Sequence, residues 1–173
     1  MAEPADVELS LDDIRHVVAF AAVCARQALP VFEMAHPDDS RPRSAIAGAE
    51  AFAESGNRTA SLRRLAWAAH KAAREVPASA ATDAALSAMH AAGAAFLHPL
   101  YSPHQVKHIL GSGVHQILAL EQNDAKAVAQ QLDWVASNAD PTVRSVLRRF
   151  PSPVAGRTTF GKLMAQLDTE LRR

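Results

Sequence analysis

Cysteine is nearly absent. Cys24 stands alone in 173 residues, which excludes an intrachain disulfide and every cysteine-rich zinc module, and suits a reducing compartment. Aromatic residues make up 5% of the chain and glycine occurs seven times, a shortage that argues against a β-sandwich or barrel. Neither sign of charge is in excess: 18 Lys and Arg residues balance 18 Asp and Glu, and the isoelectric point is about 7.1. Whole-molecule attraction to nucleic acid or to an anionic membrane is therefore not expected, and a charged partner must be met by a local patch. Long uncharged apolar runs are missing as well, because Arg15, Arg26, Arg43, Arg64 and Arg74 interrupt the alanine-rich segments before about 18 apolar residues accumulate. The acidic start, MAEPADVELSLDD, has neither the basic region nor the apolar core of a signal peptide. The expectation is a soluble, cytoplasmic chain.

What the chain does have is alanine, about a fifth of its residues, and clear helix punctuation. Ser10 ahead of Asp12 and Asp13 is an N-cap with first-turn carboxylates, opening a helix through Ile14, Val17, Val18, Ala21, Ala25 and Leu29. Pro30 is expected to bend or end it, with a short continuation to His36. Ser40, Arg41 and Pro42 open a second helix that Gly56 stops. A third runs from about Thr59 to Val76, before Pro77. A fourth runs from about Thr82 to Leu97, with Leu86, Met89, Gly93, Phe96 and Leu97 on one face. Ser102-Pro103-His104-Gln105 reads as a capping box for a fifth helix that Gly111 and Gly113 soften. Asn123 caps a sixth that buries Val128, Leu132 and Val135. Asp140-Pro141 opens a short seventh, and a Pro/Gly linker at 151–157 precedes a last amphipathic helix through Phe160, Leu163, Met164, Leu167 and Leu171. No stretch shows β-alternation. The reading is all-α, with residues 1–173 as one domain: a compact array of about seven to eight mostly antiparallel helices, bundle-like or built of short stacked helix pairs, behind a flexible acidic start at 1–9.

Eight histidines are many for this length. At 100° per residue His104, His108 and His115 share one side of the fifth helix, nearly opposite its apolar stripe, and should line the face away from the core. His104 and His108, four apart, can chelate a zinc-type ion if another helix supplies a third ligand; a polar helix face is the alternative. His90 falls on an apolar stripe, as a buried neutral histidine bonded to a backbone carbonyl or a carboxylate would. Cys24 reads as a small buried hydrophobe.

The third helix carries Leu62, Leu65, Ala69, Ala72, Ala73 and Val76 on one face and Arg63, Arg64, Trp67, His70, Lys71 and Arg74 on the other. A tryptophan framed by cations can anchor a protein interface or stack on a base. Alternatively it packs on a neighbouring helix while the arginines reach solvent or pair with Glu50 and Glu54. Trp134 also lies off its helix's main stripe. From Asp140 onward the chain is basic, and pairing of this end with the acidic start accounts for both. GRTTFGK, from Gly156 to Lys162, imitates phosphate-loop spacing but has Leu163 where the magnesium-binding hydroxyl belongs and no strand before it.

The segments LDDIRHVVAFAAVCARQALPVFE, HPDDSRPRSAIAGAEAFAESG and RTASLRRLAWAAHKAARE, with the His104 to Gly111 stretch, resemble an actinobacterial group of immunity proteins with an Imm-5-like domain. The resemblance runs from about Leu11 to Leu120 and includes Cys24, Pro30, Phe32, Arg41, Pro42, Arg43, Trp67, His70 and Arg74. Ser112, Gly113, Val114 and His115 depart from that group's small-residue run followed by Tyr. The resemblance implies an all-helical cytoplasmic protein that protects its producer by binding a partner toxin, and it brings no functional residues with it. A protein that occludes a toxin through the Trp67 face is thus the leading expectation. A metal-binding protein or enzyme using a His104 and His108 site and a nucleic-acid binder using the Trp67 face are the alternatives, and a homo-oligomer is compatible with all three.

Overall fold

The computed structural model describes residues 6–121 and 123–173. It contains eight α-helices, and no strand occurs among the described residues: α1 (Leu11–Ala35), α2 (Arg41–Ser55), α3 (Ala60–Glu75), α4 (Ala80–Gly93), α5 (Val106–Leu120), α6 (Ala125–Asn138), α7 (Pro141–Arg149) and α8 (Thr159–Arg172). Single 3₁₀ turns at Ala94–Phe96 and Pro103–Gln105 join α4 to α5. Each of α1 to α4 packs on the next through a short connection, and α1, α3 and α5 all pack extensively on α4.

The caps set these boundaries. Ser10 and Asp13 form a reciprocal capping box, Asp140 accepts from the Val143 amide, and Gly56 ends α2 in the left-handed region at φ 72°. Pro30 neither ends nor interrupts α1. It lies on the exposed side, where water can satisfy the carbonyl that its missing N–H leaves free. Asp124 rather than Asn123 caps α6, accepting from the Lys126 amide. Ser102 accepts from the His104 amide, but Gln105 does not complete the expected box; its side chain accepts from the His98 amide instead.

The 25-residue α1 contains an 18-residue window of mean hydropathy 1.5, so by length and composition it is apolar enough to cross a membrane, although Arg15 and Arg26 keep its uncharged run short as the sequence reading has it. In the fold that apolar surface is met by α2, α4 and α5. The buried face of α4 also differs from the expected one. Ala81, Ala84, Ala85, Ala88, Ala91 and Ala92 are buried, whereas Leu86, Met89 and Phe96 are only partly so. A central helix with four neighbours, α1, α2, α3 and α5, gains from small side chains, because helix axes approach closely only where those at the contact are short. Ser87 belongs to this face: it donates to the Ser112 carbonyl at 2.8 Å, and the Ser112 hydroxyl donates to the Ala21 carbonyl at 2.7 Å, joining α4, α5 and α1 through a satisfied buried pair.

Gly111 and Gly113 are sites of close approach rather than soft points. A Cβ on Gly113 would lie 2.8 Å from Val135, and one on Gly111 would lie 2.6 Å from the His90 ring. Gly156 and Gly161 likewise bring two backbones together, with a Gly161 Cβ 2.7 Å from the Gly156 Cα, and Thr158 caps α8. GRTTFGK is therefore a tight turn into a helix.

Arginines close helix ends across the fold. Arg15 donates to the Ala53 and Glu54 carbonyls at the end of α2, and Arg144 to Ala136 and Ala139 at the end of α6 and to Leu171 in α8. Arg149 holds both Asp13 and the Glu8 carbonyl, which joins the basic end to the acidic start. Val7 and Leu9, expected in a flexible start, pack on the core, and the Val7 amide donates to Pro99 at 2.6 Å. The remaining start, residues 1–5, lies outside the described residues.

Candidate functional site

The two faces of α3 separate as its periodicity predicts. Leu62, Ala66, Ala69, Ala72 and Ala73 are buried against α2 and α4, while Arg63, Arg64, Trp67, Lys71 and Arg74 are exposed and His70 is half-buried. Trp67 is 64% exposed, far from the packed position that one reading gave it. Of the two arrangements expected for the arginines, the solvent-facing one holds: Arg63, Arg64 and Arg74 are exposed, while Glu50 pairs with Arg26 and Glu54 forms no ion pair among the described residues. The ring of Trp67 meets His70 edge to face at 5.6 Å.

A groove of about 430 Å³ opens beside Trp67, between α3, α4 and the start of α5. Ala66, Met89, Gly93 and Phe96 supply its apolar surface, and Arg63, His70 and His108 its polar edge. Arg63 lies over the Phe96 ring at 4.7 Å, so the guanidinium is held at the rim by a cation-π contact. A Cβ added at Gly93 would meet nothing within 4 Å; the absent side chain is the opening. On the other side of the Trp67 and His70 pair lies a second depression, bounded by the charged side chains of Lys71, Arg74 and Glu75.

The metal reading does not gain a ligand set from the fold. His104 is exposed on a 3₁₀ turn, whereas the ring of His108 is largely buried with Nδ1 3.0 Å from the Gly93 carbonyl. Burial lowers the His108 pKa, against the opposing effect of that hydrogen bond, so the neutral ring donates from Nδ1 and keeps Nε2 as an acceptor. No group of three or more His, Cys, Asp or Glu side chains is placed to hold a metal ion among the described residues.

His115 is not on an outward face either. The helix is enclosed by α1, α4 and α8, which leaves it almost no solvent side. His115 Nδ1 lies 2.8 Å from Asp83, and its ring stacks on His90 at 5.2 Å and meets Phe160 at 4.8 Å with the planes tilted by 36°. His90 thus sits between Gly111, His115 and Phe160. Burial, reinforced by the neighbouring His115, pushes its pKa down to about 3, so it is neutral in the native protein. The expected hydrogen bond to a carbonyl or carboxylate is replaced by ring stacking. Cys24 is fully buried, and desolvation raises its thiol to about 12, as fits a small core residue. Trp134 is half-buried against the core.

A family model described as Imm-5 like putative immunity protein matches residues 8–141, more than half of the chain. The chain belongs to this family. No curated protein and no solved structure matches it. The matched residues of this Imm-5 like protein include every residue of the groove and of the Trp67 face, and stop before Phe160 and α8. Asp83, His115 and Phe160 escaped the sequence reading because their proximity depends on helix pairing over 32 and more positions, for which no local motif exists.

Proposed function

We propose that this chain is a cytoplasmic immunity protein that neutralises a partner toxin by binding and occluding it, with the α3 face around Trp67 as the contact surface. Membership of the immunity family supports the class of activity. The observation that supports the surface is the exposure of Trp67, 64% accessible beside an apolar groove. A large aromatic left in water by an otherwise efficient helical core, next to a concave apolar surface, has the form of an interface anchor. Occlusion needs no chemistry in the inhibitor, only about 1,200 to 2,000 Å² of buried surface with a few anchoring side chains.

The test is co-expression with the toxin candidate encoded beside the gene. A stoichiometric complex and rescue of growth are expected, and Trp67→Ala should weaken the complex by about tenfold or more. Absence of both complex and rescue with every neighbouring candidate would defeat the proposal. Rescue that survives Trp67→Ala undiminished would move the contact to another surface.

A further inference from the structure

Family membership gives a class of partner but not the chemistry that the Trp67 surface recognises, and that chemistry is written in the division of the surface into two halves. The groove half is mainly apolar, lined by Ala66, Met89, Gly93 and Phe96 and open to solvent beside Trp67. An open groove does not enclose a small molecule, but it accepts a side chain projecting from a larger body. The other half is cationic. Arg64 and Arg74 form no ion pair among the described residues, and the acid of that depression, Glu75, is already held by Arg41 at 2.7 Å and Lys71 at 3.7 Å. No carboxylate lines the groove itself.

The geometry points to an acidic protein segment as the occupant: one aromatic or aliphatic side chain seated over Gly93 against Met89 and Phe96, with flanking Asp or Glu side chains meeting Lys71 and Arg74. This rests on the reading of the chain as a protein-binding immunity protein and adds what the partner must present. Charge complementarity argues for an acidic segment, because Arg64 and Arg74 meet no acid among the described residues although the whole chain is neutral. The apolar half argues for protein over nucleic acid. Nucleic-acid sites are strongly basic throughout, and the cation nearest the groove, Arg63, is already engaged with Phe96.

The test uses the full chain and a dye-labelled short peptide with one tryptophan set among aspartates and glutamates, read by fluorescence anisotropy at low and moderate salt. Binding with a Kd below about 1 mM at low salt is expected. Replacing the peptide's acids by Asn and Gln, or its tryptophan by alanine, should each weaken it by about fivefold or more. On the protein side, Gly93→Leu fills the groove from a position where the new Cβ meets nothing, and should weaken binding by about tenfold. Lys71→Glu with Arg74→Glu changes two exposed residues, leaves the core untouched, and should abolish the salt dependence. The inference is overturned by equal affinity for the Gly93→Leu protein, by equal affinity for acidic and amide peptides, by no binding up to about 1 mM, or by a single-stranded oligothymidine that binds more tightly than the acidic peptide. None of these outcomes bears on growth rescue, so the immunity reading stands or falls separately.

Discussion

The seam between α4 and α5 has a closed end and an open end, built from similar residues. At the closed end His90 and His115 stack on one another, Asp83 holds His115, and Phe160 from α8 covers both rings. At the open end His108 is fixed to the Gly93 carbonyl, and Met89, Phe96 and Trp67 stand around a space that no described residue fills. Each end combines histidine, an aromatic ring and a glycine. The glycines differ in use: Gly111 makes room for a side chain of the same protein, and Gly93 leaves room that the protein does not use. The histidines covered from within are a packing element, whereas those left open beside an exposed tryptophan border the surface that we propose for a partner.

The sharpest way to separate the two ends is acid. The His90 pKa falls from 6.5 to about 3 because burial penalises the charged ring. Between these values the unfolded chain binds a proton that the native chain does not. The contribution of the neutral ring is therefore complete above about pH 6.5 and is lost as the pH falls toward 3, at about 1.4 kcal/mol per pH unit. Lowering the pH from 7 to 4.5 should remove about 3 kcal/mol through this group. The His108 pKa is lowered too, so it adds a slope of the same sign. Denaturant titrations should show His90→Phe, which keeps an aromatic ring in the stack, losing much less stability over this range. An unchanged slope in that variant would show that His90 is not the group responsible.

Phe160→Ala tests the cover itself. The ring is half-buried, so the loss should be about 2 kcal/mol, below the 3–5 typical of a fully buried phenylalanine. Removing it also admits water to His90 and should flatten the acid slope. A stability loss with an unaltered slope would mean that α8 packs on the seam without desolvating the histidine.

Much of this arrangement is visible in the sequence, within a physical limit. Ser10, Gly56, Pro77 and Asp140 mark helix ends because caps and stops act through neighbouring backbone groups. The polar face of α3 is legible because an exposed helix repeats every 3.6 residues. The periodicity misleads in α4 and α5, which are covered on several sides. There the largest side chains need not mark the core face: Ala84, Ala88 and Ala91 lie deeper than Leu86 and Met89. His104, His108 and His115 share a helical angle but meet different neighbours, so they have three separate fates. The groove was hidden for the same reason, since Met89, Gly93 and Phe96 look like core residues until α3 is seen to leave them partly uncovered.

The two glycines give the smallest effects and the clearest contrast, because the same substitution should change stability in opposite directions. Alanine in place of a helical glycine gains about 0.5–1 kcal/mol from the unfolded chain's lost freedom, provided that the new methyl group fits. At Gly111 it does not fit: the Cβ would lie 2.6–2.9 Å from Nδ1, Cε1 and Cγ of a His90 ring held by stacking. Overpacking of this kind costs about 1–3 kcal/mol, so Gly111→Ala should lower stability by about 1 kcal/mol net. At Gly93 the methyl group meets nothing, and Gly93→Ala should raise stability by about 0.5–1 kcal/mol. Thermal melts of the two variants at pH 7 decide the matter. Destabilisation at Gly93 would show that the groove is already occupied by the chain's own atoms, and the distinction between the two ends would disappear.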